Sequence, residues 1–349
     1  RGSSKRVHLK ARSVGVGTIL SESVELEIVA WINSLRQEGV PVSPRMLTFQ
    51  AQRIAMARQL GIKRIYNADQ TVCMYEAALF EYLPMKKIIN ARSAKTVWAK
   101  CAGYSKERAT VMLLGDSNGV KHTPFVVFKM KPSKNKETVE TNNEKRCGFG
   151  VRTWPEIKRI KEETGLQIYT NENGWWNTDL SIRFLKFHFC NRSFSEEPIL
   201  LLWDDFSGHW TSEVLLYAAS IKVVLIKVPP NATAVCQPTD APWNFPFKWG
   251  LRKLWLDDMQ AQLNQPRPEG EKFKLEPPGR AGMCRWVRRS WNGLNTDTIA
   301  NGYKKCSLQL SDECLAAASL VDELQQLSLA GPVVDADQDV DHIIEEAVV

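Results

Sequence analysis

Three aspartates occupy settings that suit metal chemistry. Asp69 lies in the run Arg64-Ile65-Tyr66-Asn67-Ala68-Asp69-Gln70-Thr71. Asp204 ends the apolar run Ile199-Leu200-Leu201-Leu202-Trp203, and Asp240 closes the segment from Pro229, just ahead of an amphipathic helical stretch. Carboxylates at strand ends and at a helix start can converge on one sheet edge. Three hard oxygen donors there make a magnesium site, and such a site cuts and joins nucleic-acid phosphodiesters. A single aspartate in any of these positions is ordinarily a turn or cap residue, so the case rests on the three together.

The elements that must carry them are read from periodicity. Val24, Ile28, Trp31, Ile32 and Leu35 predict a helix over about 23–38, stopped by Gly39. Ser43-Pro44 opens a second helix with Leu47, Ala51, Ile54 and Ala55 inward; Arg45, Arg53 and Arg58 lie largely off that face, and Gly61 ends it. The pair suits either a helix-turn-helix or a plain helical hairpin. From Lys63 the pattern changes. Ile65–Ala68, Thr96–Lys100, Thr110–Leu114 and Thr123–Lys129 read as strands, with Asp116-Ser117-Asn118-Gly119 turning between the last two. Residues 131–146 are charged and read as an exposed loop. Helices follow at 155–163 and Leu180–Phe189. Ile199–Trp203 and Val223–Val228 are continuous apolar runs typical of strands buried on both faces, with a helix at about 210–220 between them. After Asp240 a helix carries Trp243, Phe247, Leu251, Leu254 and Trp255, and further helices are expected at Met283–Trp291, Thr296–Lys304 and Ser311–Ser328. The sum is a mixed α/β sheet.

Composition sets bounds. The chain has 349 residues and a formal net charge of +7, which permits a nucleic-acid partner without requiring one. Its 8 cysteines are scattered with no C-x-x-C pair, so they read as reduced thiols rather than a zinc cluster. No apolar run reaches the roughly 18 residues that a bilayer span needs.

Several blocks together resemble the DDE-type transposases of the mariner/pogo superfamily, and more narrowly the pogo/Tigger/Jerky group to which centromere protein B belongs. Asn67-Ala68-Asp69-Gln70-Thr71 is similar to an N-x-D-E-T block, with Gln in place of Glu. Leu201-Leu202-Trp203-Asp204-Asp205-Phe206-Ser207-Gly208-His209 is similar to L-L-x-D-N-x-x-x-H, with Asp205 where Asn is usual. Val228-Pro229-Pro230-Asn231-Ala232-Thr233 with Gln237-Pro238-Thr239-Asp240 is similar to P-P-N-x-T…Q-P-x-D. The resemblance implies an RNase H-like mixed sheet flanked by helices, with an N-terminal helix-turn-helix fragment and a helical C-terminal region. It implies that Asp69, Asp204 and Asp240 are catalytic and hold Mg²⁺, with Mn²⁺ an admissible substitute. Asp205 is then a fourth acceptor, a group behind the ligands, or a sign of decay. His209 contacts DNA or caps a helix; Asn231 and Gln237 shape the loop before Asp240. Lys63, Lys248, Arg252 and Lys253 flank the site and, with Arg45, Arg53 and Arg58, are the expected DNA-facing cations; a solvated charged face is the alternative. Trp175 and Trp176 either stack on bases or pack in the core.

The expected organisation is a basic arm at 1–17, a truncated centromere protein B-type helix-turn-helix at 18–62, a catalytic domain at 63–262, a linker at 263–281, C-terminal helices at 282–330 and an acidic tail at 331–349. The helix-turn-helix departs from the family: Gly61 runs into Arg64-Ile65-Tyr66 where a recognition helix and a long connector are expected. The implied partner is DNA, as transposon ends and target, with a homodimer as a further option, no membrane, and the nucleus as location.

Overall fold

The structure, a computed structural model, describes residues 20–74, 108–192, 197–230, 232–268, 273 and 275–306. The expectations for residues 1–17, Thr96–Lys100, Asn231, Ser311–Ser328 and the acidic tail lie outside them. Of the described residues, 20–55 belong to one compact unit and 56–306 to a second.

The first unit holds α1 (Glu22–Gln37) and most of α2 (Pro44–Gln59), which continues into the second. Val24, Trp31 and Leu35 of α1 and Met46, Phe49 and Ile54 of α2 are buried. The buried face of α2 therefore includes Met46 and Phe49, which the Leu47–Ala51 stripe did not predict. Arg53 lies on it as well, fully buried, with Nε donating to Gln50 Oε1 at 3.2 Å and Nη2 to Glu27 Oε1 at 3.4 Å. A guanidinium so enclosed is a tie inside the helical pair, which corrects its expected place among DNA-facing cations. Arg45 and Arg58 are exposed.

In chain order the second unit contains β1 (Ile65–Met74), β2 (Arg108–Asp116), β3 (Phe125–Lys129), α3 (Lys136–Arg146), α4 (Trp154–Thr164), β4 (Gln167–Asn171), α5 (Thr178–Phe189), β5 (Ile199–Trp203), α6 (Ser212–Ser220), β6 (Val223–Lys227), α7 (Asn244–Leu263), α8 (Gly279–Asn292) and α9 (Thr296–Lys305). They form one six-stranded sheet in the order β4-β3-β2-β1-β5-β6. β1, β2 and β3 are antiparallel neighbours, whereas β1–β5, β5–β6 and β3–β4 run parallel. A three-stranded meander extended by two parallel strands beside β1 is the RNase H-like arrangement, with β4 added at the edge.

Both faces are covered, which is why β5 reads as an uninterrupted apolar run and is buried at every position. On one face Ala68, Leu114, Phe125, Leu201 and Trp203 pack with Phe184, Leu185 and Phe189 of α5 and Val214 and Ala218 of α6. On the other, Trp243 and Ile299 close over Gly115 of β2. Phe247, Leu251, Met283, Val287, Trp291 and Tyr303 from α7, α8 and α9 are buried as well. Each such side chain contributes about 1.5–3 kcal/mol of transfer free energy.

Residues 131–146, expected as a loop, contain α3 instead. Nothing in its apolar spacing announces it. Its signals are local: Asn135 Oδ1 accepts the Thr138 N–H at 3.3 Å at the start, and Cys147 in the left-handed region, φ 53°, ends it. β4 also went unread, five residues between a left-handed glycine stop and a turn.

Candidate active site

The parallel register pairs Ile65 with Leu200 and Asn67 with Leu202. The ladder ends at that pair; Asp69 follows two residues later within β1, and Asp204 stands just past the end of β5. Asp69 is 8% exposed and its Oδ2 accepts from Asn244 Nδ2 at 2.8 Å, so the first residue of α7 touches it.

The third aspartate is brought in by Asn67. Its amide nitrogen donates to the Leu202 carbonyl at 3.0 Å, and its Oδ1 accepts the Thr239 N–H at 3.0 Å and the Thr239 hydroxyl. Asn67 is fully buried. One side chain thus ties the strand of Asp69, the strand leading to Asp204 and the residue before Asp240. Asp240 itself lies in the π-helical turn Thr239–Trp243, a kind of turn that concentrates at functional sites. Sequence reasoning assigned Asn67 no role; the available signal was a polar residue inside an otherwise apolar strand start.

The turn is braced from behind. Gly115 has no side chain where a Cβ would stand 2.7 Å from the Trp243 ring and 2.9 Å from Ile299. Gly302 of α9 approaches the Pro238 carbonyl so closely that a Cβ would lie 2.6 Å from it. Trp243 Nε1 donates to the Ile299 carbonyl at 3.2 Å, and the Tyr303 hydroxyl to that of Gly115 at 2.8 Å. Residues 279–305 therefore pack within the sheet's own unit and against the turn that carries Asp240.

Asp204 is held from below by His209. His209 is fully buried, its ring stacked on Trp203 with centroids 3.9 Å apart, and its Nε2 lies 3.1 Å from Asp204 Oδ1. Nδ1 lies 3.0 Å from the Ser181 hydroxyl, which accepts from Trp176 Nε1 at 3.0 Å. Gln70 reaches Nε2 at 3.0 Å. Burial lowers the imidazole's pKa, against the opposing pull of Asp204. The Ser181 hydroxyl also donates to the Gly208 carbonyl at 2.9 Å, so both ring nitrogens of His209 sit among fixed polar groups. The expected DNA contact or helix cap at His209 is thus replaced by a support for Asp204. Trp176 is core, whereas Trp175 is 49% exposed.

Asp205 turns elsewhere. Its Oδ1 lies 2.5 Å from Lys227 Nζ at the end of β6. Lys227 also stands 4.9 Å over the Trp210 ring, and Trp210 Nε1 donates to the Asp204 carbonyl at 2.8 Å. This corner fixes the backbone at Asp204 and occupies the extra carboxylate.

The remaining expected residues divide. Lys63 is paired with Glu197 at 2.6 Å, ahead of β1 and β5. That is the end of the sheet opposite Asp204, so Lys63 does not flank the site, which corrects the expectation. Lys248 and Arg252 are half-buried on α7 and Lys253 is exposed. Gln237 is 1% exposed, and its Nε2 has no partner among the described residues.

Residues 106–303 match the family described as DDE superfamily endonuclease. The chain is 22% identical over 271 residues to the Homo sapiens pogo transposable element with KRAB domain, a match covering 76% of this chain and 39% of that protein. Its Mus musculus counterpart is 21% identical over 278 residues, covering 78% and 40%. The chain thus spans about two fifths of the curated relatives it matches. Among solved structures, the catalytic domain of Mos1 mariner transposase is similar at 10% identity and a TM-score of 0.32, covering 87% of this chain and 97% of that one. The Mos1 strand transfer complex is similar at 9% and 0.39, covering 90% and 67%. With more than half its length inside the matched region, the chain belongs to the DDE superfamily endonuclease family.

Proposed function

We propose that this chain is the catalytic part of a transposase that cuts and joins DNA phosphodiesters with Asp69, Asp204 and Asp240. The observation that carries the reading is the Asn67 tie, which joins the two strands and the turn bearing these residues. Among the described residues, no three His, Cys, Asp or Glu side chains stand together as a metal group. In this reading Asp69 on β1, Asp204 just past β5 and Asp240 in the turn before α7 would supply three carboxylates. Such an all-oxygen donor set fits Mg²⁺ or Mn²⁺. Bound divalent ions would supply charge neutralisation and activate the attacking oxygen.

The chain's own residues do the positioning. Asn244 orients Asp69. His209 and the Phe206 N–H both hold the same oxygen of Asp204. Lys227 removes Asp205 from the ligand set. Lys248, Arg252 and Lys253 of α7, whose first residue Asn244 touches Asp69, are the cations that would meet phosphates in this reading. DNA is the proposed partner and the nucleus the proposed location. No helix among the described residues is long and apolar enough to cross a membrane. The catalytic domain is read as extending past residue 262 to include α8 and α9, because α9 braces the turn of Asp240.

The test is nicking of supercoiled plasmid with Mg²⁺ or Mn²⁺ by the wild type and by Asp69→Ala, Asp204→Ala and Asp240→Ala. Metal-dependent nicking lost in all three variants supports the reading. Nicking that survives Asp204→Ala overturns it.

A further inference from the structure

The first half of α7 presents two aromatic rings to solvent. Phe245 is 64% exposed and Trp249 56%, one helical turn apart, with ring centroids 6.4 Å apart and planes within 16° of parallel. The helix does not need them: Phe247, Leu251 and Trp255 already form its buried face. Scattered apolar residues are normal on a surface, but a stacked pair of large rings aligned in one direction is a shaped feature.

Its placement is specific. Phe245 directly follows Asn244, whose amide holds Asp69, so the rings begin within one residue of the proposed cleavage site. Residues 244–253 carry Lys248, Arg252 and Lys253 and no acidic residue; the acidic Asp257 and Asp258 come only afterwards. Flat π faces interleaved with cations suit one ligand chemistry: nucleobases that stack, joined by phosphates that need neutralising. Inside a fully paired duplex each base is stacked on both sides, and only a terminal pair leaves a face open. An exposed ring pair therefore selects unpaired nucleotides.

We propose that Phe245 and Trp249 form a stacking platform for an unpaired base of a DNA strand lying along α7 beside the aspartates. The placement beside a cleavage site rests on the proposed function, whereas the platform itself can be read without catalysis. The probe is an oligonucleotide carrying 2-aminopurine, offered as a single strand, at an unpaired position in a duplex, and in a fully paired duplex, to the full chain in EDTA.

The expected result is quenching of 2-aminopurine at the unpaired positions. Trp249→Ala should abolish it and weaken single-strand binding by about five- to 150-fold, the usual worth of one base–aromatic stack, while leaving paired-duplex affinity unchanged. Trp249→Tyr should retain most of the quenching, because it keeps a ring. Asp204→Ala should quench like wild type, so loss of nicking with quenching intact separates a failure of the catalytic reading from a failure of this one. Wild-type quenching by Trp249→Ala overturns the platform, as does equal weakening on paired and unpaired DNA, or no binding of any probe by the wild type. A dimer in sedimentation that Trp249→Ala dissolves, with DNA binding unaltered, would assign the face to a second copy of the chain and overturn it equally.

Discussion

Thr239 donates both its backbone N–H and its hydroxyl to the Oδ1 of Asn67, 172 residues earlier in the chain. The other end of the same amide donates to the Leu202 carbonyl. Both ends of the side chain are used, and both links are buried, so neither partner has water to fall back on. Asn67 therefore sets the spacing between the segments bearing the three aspartates.

Replacing Asn67 by Ala should leave Thr239 and Leu202 with unmet hydrogen-bonding groups and cost about 1–3 kcal/mol. Nicking should fall by more than the unfolded fraction accounts for, because the turn of Asp240 loses its tether. Thermal unfolding and plasmid nicking, measured on one preparation well below Tm, check this. Full specific activity in a folded Asn67→Ala protein would show that the tether is structural only.

Metal ligation can be separated from DNA cleavage. A ligand that binds only the folded state stabilises it by mass action, about 2.7 kcal/mol at one hundred times Kd. For a unit of this size that raises Tm by about 5–10 °C. Mn²⁺ titration followed by thermal unfolding should show this rise in the wild type and not in Asp204→Ala. An equal rise in both proteins would place the ion elsewhere.

What the sequence made legible follows from which signals are local. β5 and β6 were readable because strands covered on both faces become apolar throughout, and all five β5 residues are buried. Asp204 could be placed at the end of β5 for the same reason, whereas Asp69 fell just past the strand read as Ile65–Ala68 and lies inside β1. α3 was not readable, since its face is nearly all polar and its boundaries rest on Asn135 and Cys147. Arg53 was misread because the periodicity of α2 cannot foresee that Glu27, 26 residues away, would draw a guanidinium inward. Lys63 was misplaced because nearness to Asp69 in sequence is not nearness in a strand. Six residues of extended chain carry it to the far end of the sheet, roughly 20 Å away. Lys227 and Gly302 depend on register and helix packing, which no local pattern encodes.

Acid should unfold this protein through His188. Its ring packs at 4.6 Å from Phe184 and 4.9 Å from Phe187, and burial, aided by His122, pushes its pKa down to about 3 from 6.5. Below pH 6.5 the unfolded chain takes up a proton that the folded one refuses. Stability is therefore lost as pH falls from about 6.5 toward 3, at up to about 1.4 kcal/mol per pH unit. His188→Leu should shift the acid-unfolding midpoint, followed by circular dichroism, to lower pH. Coincident midpoints would show that other groups control the transition.

The Asp205–Lys227 pair tests whether the site is intact. Both side chains are about half exposed, 40% and 45%, so the pair itself is worth at most about 1 kcal/mol. Asp205→Asn should then keep metal-dependent nicking within about fivefold of wild type, in contrast to Asp204→Ala. Lys227→Met leaves the Asp205 carboxylate uncompensated beside Asp204, free to swing toward the proposed metal site and to release the corner that Trp210 holds, and nicking should drop. Combining Lys227→Met with Asp205→Asn removes the stray charge and should restore much of the loss. This rescue would not follow if Lys227 acted only by packing on Trp210. An Asp205→Asn protein as inactive as Asp204→Ala would instead make Asp205 a ligand, and the double variant would then gain nothing over Asp205→Asn alone.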